Sequence, residues 1–369
     1  MKIALVGGGF YGCYIADTLK KKYRSQVSID IFDRADGLMT RAASNNQCRL
    51  HLGFHYPRSA ETIRQTIYGF HQFVDDFGNC IEFPTQNYYA VHRNGHVNFD
   101  EYLAVMDEHN LKYDIVGSAI HRFFRQPKDI EGIIRVGEGM IRLGDLLNNL
   151  TARLKAKVQV HCNAIVSAID AETGSLVVNN KVYEGYDVII NATYTDTNLG
   201  LPKEKRFELK YEVTAMVLMD APFDDDVALT IMDGPFVSLY PAGQGKATLS
   251  SVTHTPFLNC LTNADLETQL AKVKNNKICK SVVIDDILNH GNELLNLDLA
   301  HHHVQSLWIA PKTKVLHDNC DQRLTEIRTH EKLISVLCGK LDAVHHITDQ
   351  IVEVMEGRTE QKFAEVVDF

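Results

Sequence analysis

Lys2-Ile3-Ala4-Leu5-Val6-Gly7-Gly8-Gly9-Phe10-Tyr11-Gly12 is the stretch on which the fold turns. Four of the five residues before the glycines are apolar, which suits a parallel strand covered on both faces. Gly7, Gly9 and Gly12 then fall at G-x-G-x-x-G spacing. The first permits a tight turn, the second lets backbone approach a pyrophosphate, and the third lets the next helix pack close. That helix is expected from Tyr11 to about Tyr23, with its positive N-terminus available to an anion.

Glycine-rich turns are common, and the context makes this one specific. A second apolar strand, Val27-Ser-Ile-Asp-Ile-Phe32, ends at Asp33, where a carboxylate meets the ribose hydroxyls of a dinucleotide. Strand, turn, helix, strand and acid in that order predict an α/β nucleotide-binding domain. The motif alone serves NAD and FAD equally.

At 369 residues the chain suits two domains, at about 100–200 residues each. Hydrophobic content of 45% and charged content of 23% are those of a globular protein. The net charge of −9 and the lack of a basic run with interleaved aromatics argue against nucleic acid, so the expected partner is a small molecule. No apolar run approaches the ~20 residues that span a bilayer. With the nucleotide strand starting at residue 2, no signal or transit peptide is expected. Eight cysteines without a C-x-x-C pair read as reduced thiols rather than disulfides or zinc ligands, which predicts a cytoplasmic location.

Past Asp33 and Arg34 the chain runs Gly37-Leu-Met-Thr-Arg-Ala-Ala-Ser-Asn-Asn-Gln-Cys-Arg-Leu-His-Leu-Gly-Phe-His-Tyr-Pro57. The acid after the second strand, then Ala43-Ser44-Asn45-Asn46, then His51-Leu-Gly-Phe-His-Tyr56, resembles the FAD-binding entry of the D-amino-acid-oxidase-like superfamily. That group includes glycerol-3-phosphate dehydrogenase, L-2-hydroxyglutarate dehydrogenase and sarcosine oxidase. The resemblance implies that Ala43 to Asn46 touch the FAD phosphates and that Gln47 to Tyr56 passes the flavin ring. Cys338-Gly-Lys-Leu341 is similar to the Gly-Gly-Lys-Leu turn of glycerol-3-phosphate dehydrogenase, which sits under the flavin pyrimidine. A strand ending Asn191-Ala-Thr-Tyr194 is similar to the family's Asn-Ala-x-Gly, and its lost glycine implies a different backbone approach. The implied cofactor is FAD. Its implied contacts, beside residues 43–46, are Gly7, Gly9, Phe10, Tyr11, Gly12, Asp33, Arg34, Val166, Ala192, Thr193, Gly339, Lys340 and Leu341.

The expected architecture is α/β: a discontinuous Rossmann-like FAD-binding domain at 1–82, 140–206 and 316–369, and an α+β substrate domain with a mixed or antiparallel sheet at 83–139 and 207–315. One helix should start at an N-cap on Ser59, carry Ile63, Ile67, Phe70, Val74 and Phe77 on one face and stop at Gly78. Others are expected after Arg142, from Asn263 to Lys274 and from Leu341 to about Glu356. Residues 83–135 read as short strands and turns. Phe207 to Val315 reads as strands rich in β-branched and aromatic residues, and the passage from Leu239 to Pro256 resembles the family's substrate hairpin.

The reaction implied by the resemblance is oxidation of a CH–OH or CH–NH centre in a small polar, anionic substrate, with hydride passing to flavin N5. The electron acceptor, oxygen or a quinone, stays open. Negative charge grows at flavin N1 and C2=O, so a cation there lowers the barrier; Lys340, expected at the head of the last helix, is the candidate, against a surface lysine on a turn. His51 and His55 could take the substrate's proton near neutral pH, or be structural, and Gly53 between them argues against a helical zinc pair. Arg49 and Arg58 could clamp a carboxylate or phosphate, or pair at the surface. Tyr56, Tyr240 and His254 complete the substrate candidates.

The run His301-His-His303 invites a metal reading, set aside because consecutive side chains point apart and no cysteine or carboxylate pattern surrounds it; no metal is expected. Cys48 and Cys338 read as small buried thiols rather than flavin tethers. Two alternatives stay open: a flavoprotein without net oxidation, such as a sugar mutase, and a nucleotide-binding protein without turnover.

Overall fold

The strand Lys2–Val6 lies inside a six-stranded sheet, with Ile3, Ala4 and Leu5 wholly buried. Across that sheet the order is Glu326–His330, Leu333–Leu337, Val188–Asn191, Lys2–Val6, Ser28–Phe32 and Gln159–His161. Every pairing is parallel except the first, where Glu326–His330 returns against Leu333–Leu337. Parallel strands covered on both faces need continuous apolar runs, and Leu333–Leu337 is buried at all five positions. The helix Phe10–Tyr23 follows the glycine turn, and Tyr14 on it meets His345 on the helix Val344–Met355, hydroxyl to Nδ1 at 2.7 Å.

The computed structural model describes residues 1–45, 47–223, 227–316 and 325–357. The chain divides into two units: Met1–Leu38, Leu150–Phe207 and Leu324–Phe369 in the first, Met39–Asn149 and Glu208–Arg323 in the second. The first switch thus falls at 38/39 rather than at 82/83, and residues 140–149 group with the second unit as well. The residues after Thr40 build their hydrogen bonds and sheet pairs within the second unit, for example Arg49 and Leu50 against Met140 and Gly139.

The second unit is organised on a nine-stranded mixed sheet. Its order is Pro256–Cys260, Leu209–Asp220, Lys246–Ser251, Val237–Gly243, Val227–Met232, Gln86–His92, Ile130–Val136 and Tyr113–Ile115, with Val304–Val315 also pairing Leu209–Asp220. Only Val227–Met232 and Gln86–His92 run parallel. Val217, Leu229, Leu239 and Leu249 from the sheet share a buried core with Val283, Ile287 and Leu288. A second core joins Tyr89, Val91 and Ile134 to Phe54, Ile63, Tyr102 and Met106.

Two helices were not expected. Phe99–Glu108 interrupts the supposed strand-and-turn region, started by a capping box in which Asn98 accepts from the Glu101 N–H and Glu101 accepts from the Asn98 N–H. Lys277–Leu294 directly follows the expected helix at Asn263–Asn275. The last helix begins at Val344 rather than Leu341. The helix expected after Arg142 is present at Leu143–Leu154. The helix at Ala60–Phe77 has its N-cap where expected, with Ser59 Oγ accepting from the Thr62 N–H. Ser59→Ala should therefore cost about 1 kcal/mol, seen as a lower urea midpoint at unchanged slope.

Candidate functional site

In the first unit the glycines perform three separate tasks. Gly7 sits at φ +101°, and a Cβ on it would stand 2.6 Å from the Ala192 carbonyl oxygen. A Cβ on Gly12 would lie 1.9 Å from the Gly7 carbonyl oxygen and 2.6 Å from Leu5, so the helix meets the strand through this position. Gly9 differs, since a Cβ there would meet nothing within 4 Å. Gly9 is also the N-cap of Phe10–Tyr23, without a side-chain cap and without an acid in the first turn. The first N–H groups of an α-helix have no intrahelical partner, so open space and the start of a helix coincide at the position where a pyrophosphate would lie.

Asp33 stands at the tip of the second strand and accepts from the Gly8 N–H at 2.5 Å and the Ala35 N–H at 2.7 Å. An ionised carboxylate has about four acceptor sites, and two are left for ribose hydroxyls. Half-buried Arg34 follows it. Phe10 and Tyr11 are buried, and the Tyr11 hydroxyl donates to the Lys340 carbonyl, tying the helix start to the Gly339-Lys340-Leu341 turn. Lys340 lies in that turn, ahead of the last helix rather than on it. The Ala192 N–H extends the sheet by donating to Val6 O, and Thr193 donates through N–H and hydroxyl to Asn191 Oδ1. Val166 is buried at the head of its strand. Tyr194 takes φ +69°, the left-handed conformation glycine favours. These residues fit a dinucleotide.

Residues 43–45 belong to the second unit. Ala43 is buried, Ser44 bonds the Arg41 carbonyl through N–H and hydroxyl, and Asn45 Nδ2 donates to Ile309 O at 3.2 Å. Asn46 lies outside the described residues.

The second unit also holds a buried polar cluster. The Arg49 guanidinium lies 4.2 Å from the Tyr240 ring centre and donates to Ser238 Oγ at 2.7 Å and to the Tyr89 hydroxyl at 3.3 Å. Tyr89 donates in turn to Glu138 Oε2 at 2.6 Å, and Glu138 Oε1 accepts from the Leu52 N–H at 2.8 Å. Glu138 is fully buried. Burial raises its carboxyl above the ordinary range, against the opposing pull of Arg49, Tyr89, the Leu52 N–H and His55. Burial likewise works to lower Arg49, and the neighbouring Tyr89, Tyr240, Glu138 and Tyr56 outweigh it, leaving Arg49 raised and firmly cationic. His51 Nδ1 is 3.7 Å from Glu138 Oε2. The rings of His51, His55 and Tyr56 lie 5.2–5.5 Å apart by centroid.

Five of the residues singled out in sequence therefore come together here: Arg49, His51, His55, Tyr56 and Tyr240. Tyr240 is wholly buried and its hydroxyl donates to Gly139 O at 2.9 Å. Arg58 is exposed and paired with Asp233. His254 packs edge-on to His290, 5.5 Å by centroid, and its backbone N–H donates to Ser251 Oγ. A pocket of about 330 Å³ beside His92, Phe236 and His290 has none of the cluster residues in its lining. Glu138, Tyr89 and Ser238 were missed by sequence reasoning. A lone acid in the apolar, glycine-flanked run Val136-Gly-Glu-Gly-Met-Ile141 was the available signal.

The two tether candidates are small buried thiols, Cys48 and Cys338 each pushed up to about 12 by burial. Contrary to expectation, two of the three consecutive histidines do not point apart: the His302 and His303 rings are 3.9 Å apart and Asp298 lies within reach of both. His303 is already paired with Asp298 at 3.6 Å and His301 with Asp285. No helix among the described residues is long and apolar enough to cross a membrane.

The family model described as "FAD dependent oxidoreductase" (DAO) matches residues 2–277. Among characterised relatives, the FAD-dependent monooxygenase FPY4 of Fusarium mangiferae is 28% identical over 361 residues, covering 97% of this chain and 92% of that protein. The FAD-dependent monooxygenase kojA of Aspergillus flavus is 25% identical over 257 residues, 66% of this chain and 58% of that one. Among solved structures, glycine oxidase from Geobacillus kaustophilus superposes with a TM-score of 0.74 at 13% identity, over 99% of this chain and 96% of that one. L-α-glycerophosphate oxidase from Mycoplasma pneumoniae gives 0.74 at 14% identity, over 98% and 96%.

Proposed function

The chain belongs to the DAO family of FAD-dependent oxidoreductases, and from that premise we propose that it oxidises a CH–OH or CH–NH centre of a small polar, anionic substrate. It is an enzyme and its cofactor is FAD. When bound, FAD supplies the two-electron acceptor. The uncapped helix start at Gly9 and the carboxylate of Asp33 would hold its pyrophosphate and ribose.

One observation carries the substrate reading: a fixed, buried cation and two half-buried histidines share one cluster of the second unit. Arg49, held by Tyr240, Ser238 and Tyr89, would supply positive potential toward an anionic group. His51 or His55 would take the proton of the hydroxyl or amine, a task suited to an imidazole near neutral pH. Arg58, spent on Asp233 at the surface, is left out of this role. Seven free cysteines among the described residues support a reducing, cytoplasmic setting.

The test is an anaerobic screen of glycine, other amino acids, glycolate and other 2-hydroxy acids, and glycerol 3-phosphate, read as loss of flavin absorbance. Bleaching by one of them supports the proposal, and a flavin that none reduces counts against it. The names of the FPY4 and kojA relatives favour a second reading, monooxygenation, in which a nicotinamide rather than the substrate would bleach the flavin.

Lys340 would supply charge beside the flavin. Lys340→Met should lower the flavin reduction potential by about 30 mV, equivalent to ~1.4 kcal/mol for two electrons. An unchanged potential would return Lys340 to the role of a turn lysine.

A further inference from the structure

We infer that Glu138 is a positioning residue that selects the tautomer of His51 and so makes Nε2 of that ring the proton acceptor. Glu138 is wholly buried and lies in the turn between the strands Ile130–Val136 and Gly139–Ile141. Its two oxygens reach the loop that carries the histidines in different ways. Oε1 accepts from the Leu52 N–H, the residue next to His51, and Oε2 stands 3.7 Å from His51 Nδ1.

A buried acid whose sole task was to neutralise Arg49 would take the guanidinium directly. Here Arg49 donates to Tyr89 and Ser238, and it is the Tyr89 hydroxyl that donates to Glu138. Leu52 thus holds Oε1 and Tyr89 holds Oε2, and Oε2 is also the oxygen nearer the imidazole. At 3.7 Å the pair is beyond hydrogen-bond reach, and the carboxylate acts through its charge, which favours the proton on the nearer nitrogen, Nδ1. The lone pair is then left on Nε2. A hydroxyl or ammonium proton passing there would leave its bonding pair on the substrate's oxygen or nitrogen.

The rings of His55 and Tyr56 lie 5.2 and 5.5 Å from that of His51 by centroid and carry no negative charge. Arg49 reaches the carboxylate through Tyr89, in the order Arg49, Tyr89, Glu138. Glu138 is therefore the one anion among the described residues of this cluster.

The tautomer assignment stands on geometry alone; the proton step rests on the proposed function. The experiment is nitrogen NMR of histidine-labelled holoenzyme, with the His51 ring assigned by its loss in His51→Asn. The parent should show His51 predominantly as the Nδ1–H tautomer, and Glu138→Gln, which keeps shape and the Leu52 contact, should lose that signal. An Nε2–H ring in the parent overturns the inference without any variant having to fold. An unchanged His51 spectrum in a folded Glu138→Gln protein overturns it too, and reduces Glu138 to a packing role. If the tautomer responds as expected while none of glycine, glycolate or glycerol 3-phosphate bleaches the flavin, the positioning role stands and the functional reading alone fails.

Discussion

Gly9→Ala should fold as the parent does and fail to retain FAD, whereas Gly12→Ala should lose the fold itself. A methyl at Gly9 enters open space on a backbone at φ −72° and ψ −175°, so stability should stay within about 0.5 kcal/mol of the parent. That open space is where the ligand's phosphates must approach the helix start. At Gly12 the methyl would stand 1.9 Å from a backbone oxygen, and no side-chain rotation relieves it. Strand and helix must separate, at a cost of about 3 kcal/mol or more. Thermal unfolding of the two apoproteins beside their flavin content after purification separates the effects. Equal loss of stability in both variants would contradict the assignment of Gly9 to the ligand.

Glu138→Ala should be the most damaging single change in the second unit. It removes the acceptor of the Leu52 N–H and the Tyr89 hydroxyl, and it leaves the buried Arg49 cation without its counter-charge. Breaking a buried pair from one side typically costs about 3–5 kcal/mol. Removing both charges should cost less than the sum, so Arg49→Met combined with Glu138→Ala should recover part of the loss, as a double-mutant cycle in urea will show. Glu138→Gln should be milder and should change the pH dependence. Because burial raises the folded-state value of Glu138 above its ordinary 4.5, its contribution is fully present below that value and is lost as pH rises through the folded one. Relative to the parent, Glu138→Gln should gain stability as pH increases from about 4.5. Parallel stability profiles would mean that Glu138 does not titrate in the folded protein above its unfolded range.

The nucleotide half was legible because local physics dictates it. The apolar run to Val6, three glycines and Asp33 admit few other arrangements, and the structure adds the reason in the contacts a Cβ would make at Gly7 and Gly12 and in the open space at Gly9. The mixed sheet of the second unit could be anticipated from its β-branched runs, although the parallel pairing of Val227–Met232 with Gln86–His92 joins segments far apart in sequence and leaves no local trace. The helix at Phe99–Glu108 was readable from Asn98 and Glu101, a capping box passed over because its apolar face is short. The helix Lys277–Leu294 spreads its apolar residues around the axis, which hides the period.

The site was legible in part for the same reason. Arg49, His51 and His55 were chosen by residue type and position, but Glu138 acquires meaning only when folding brings the turn after Val136 to the 51–56 loop. Arg58 showed the converse: it carried the right chemistry, and the fold spends it on Asp233 at the surface.

Under the proposed function, electrons leave the substrate for the FAD directly, with no oxygen atom inserted. This is tested by turning over, under isotopically labelled dioxygen, the compound that bleaches the flavin without air, and weighing the product by mass spectrometry. The expected result is an oxidised product free of label from dioxygen, with no nicotinamide required. A product carrying one labelled oxygen atom, formed only when a reduced nicotinamide is supplied, would contradict it.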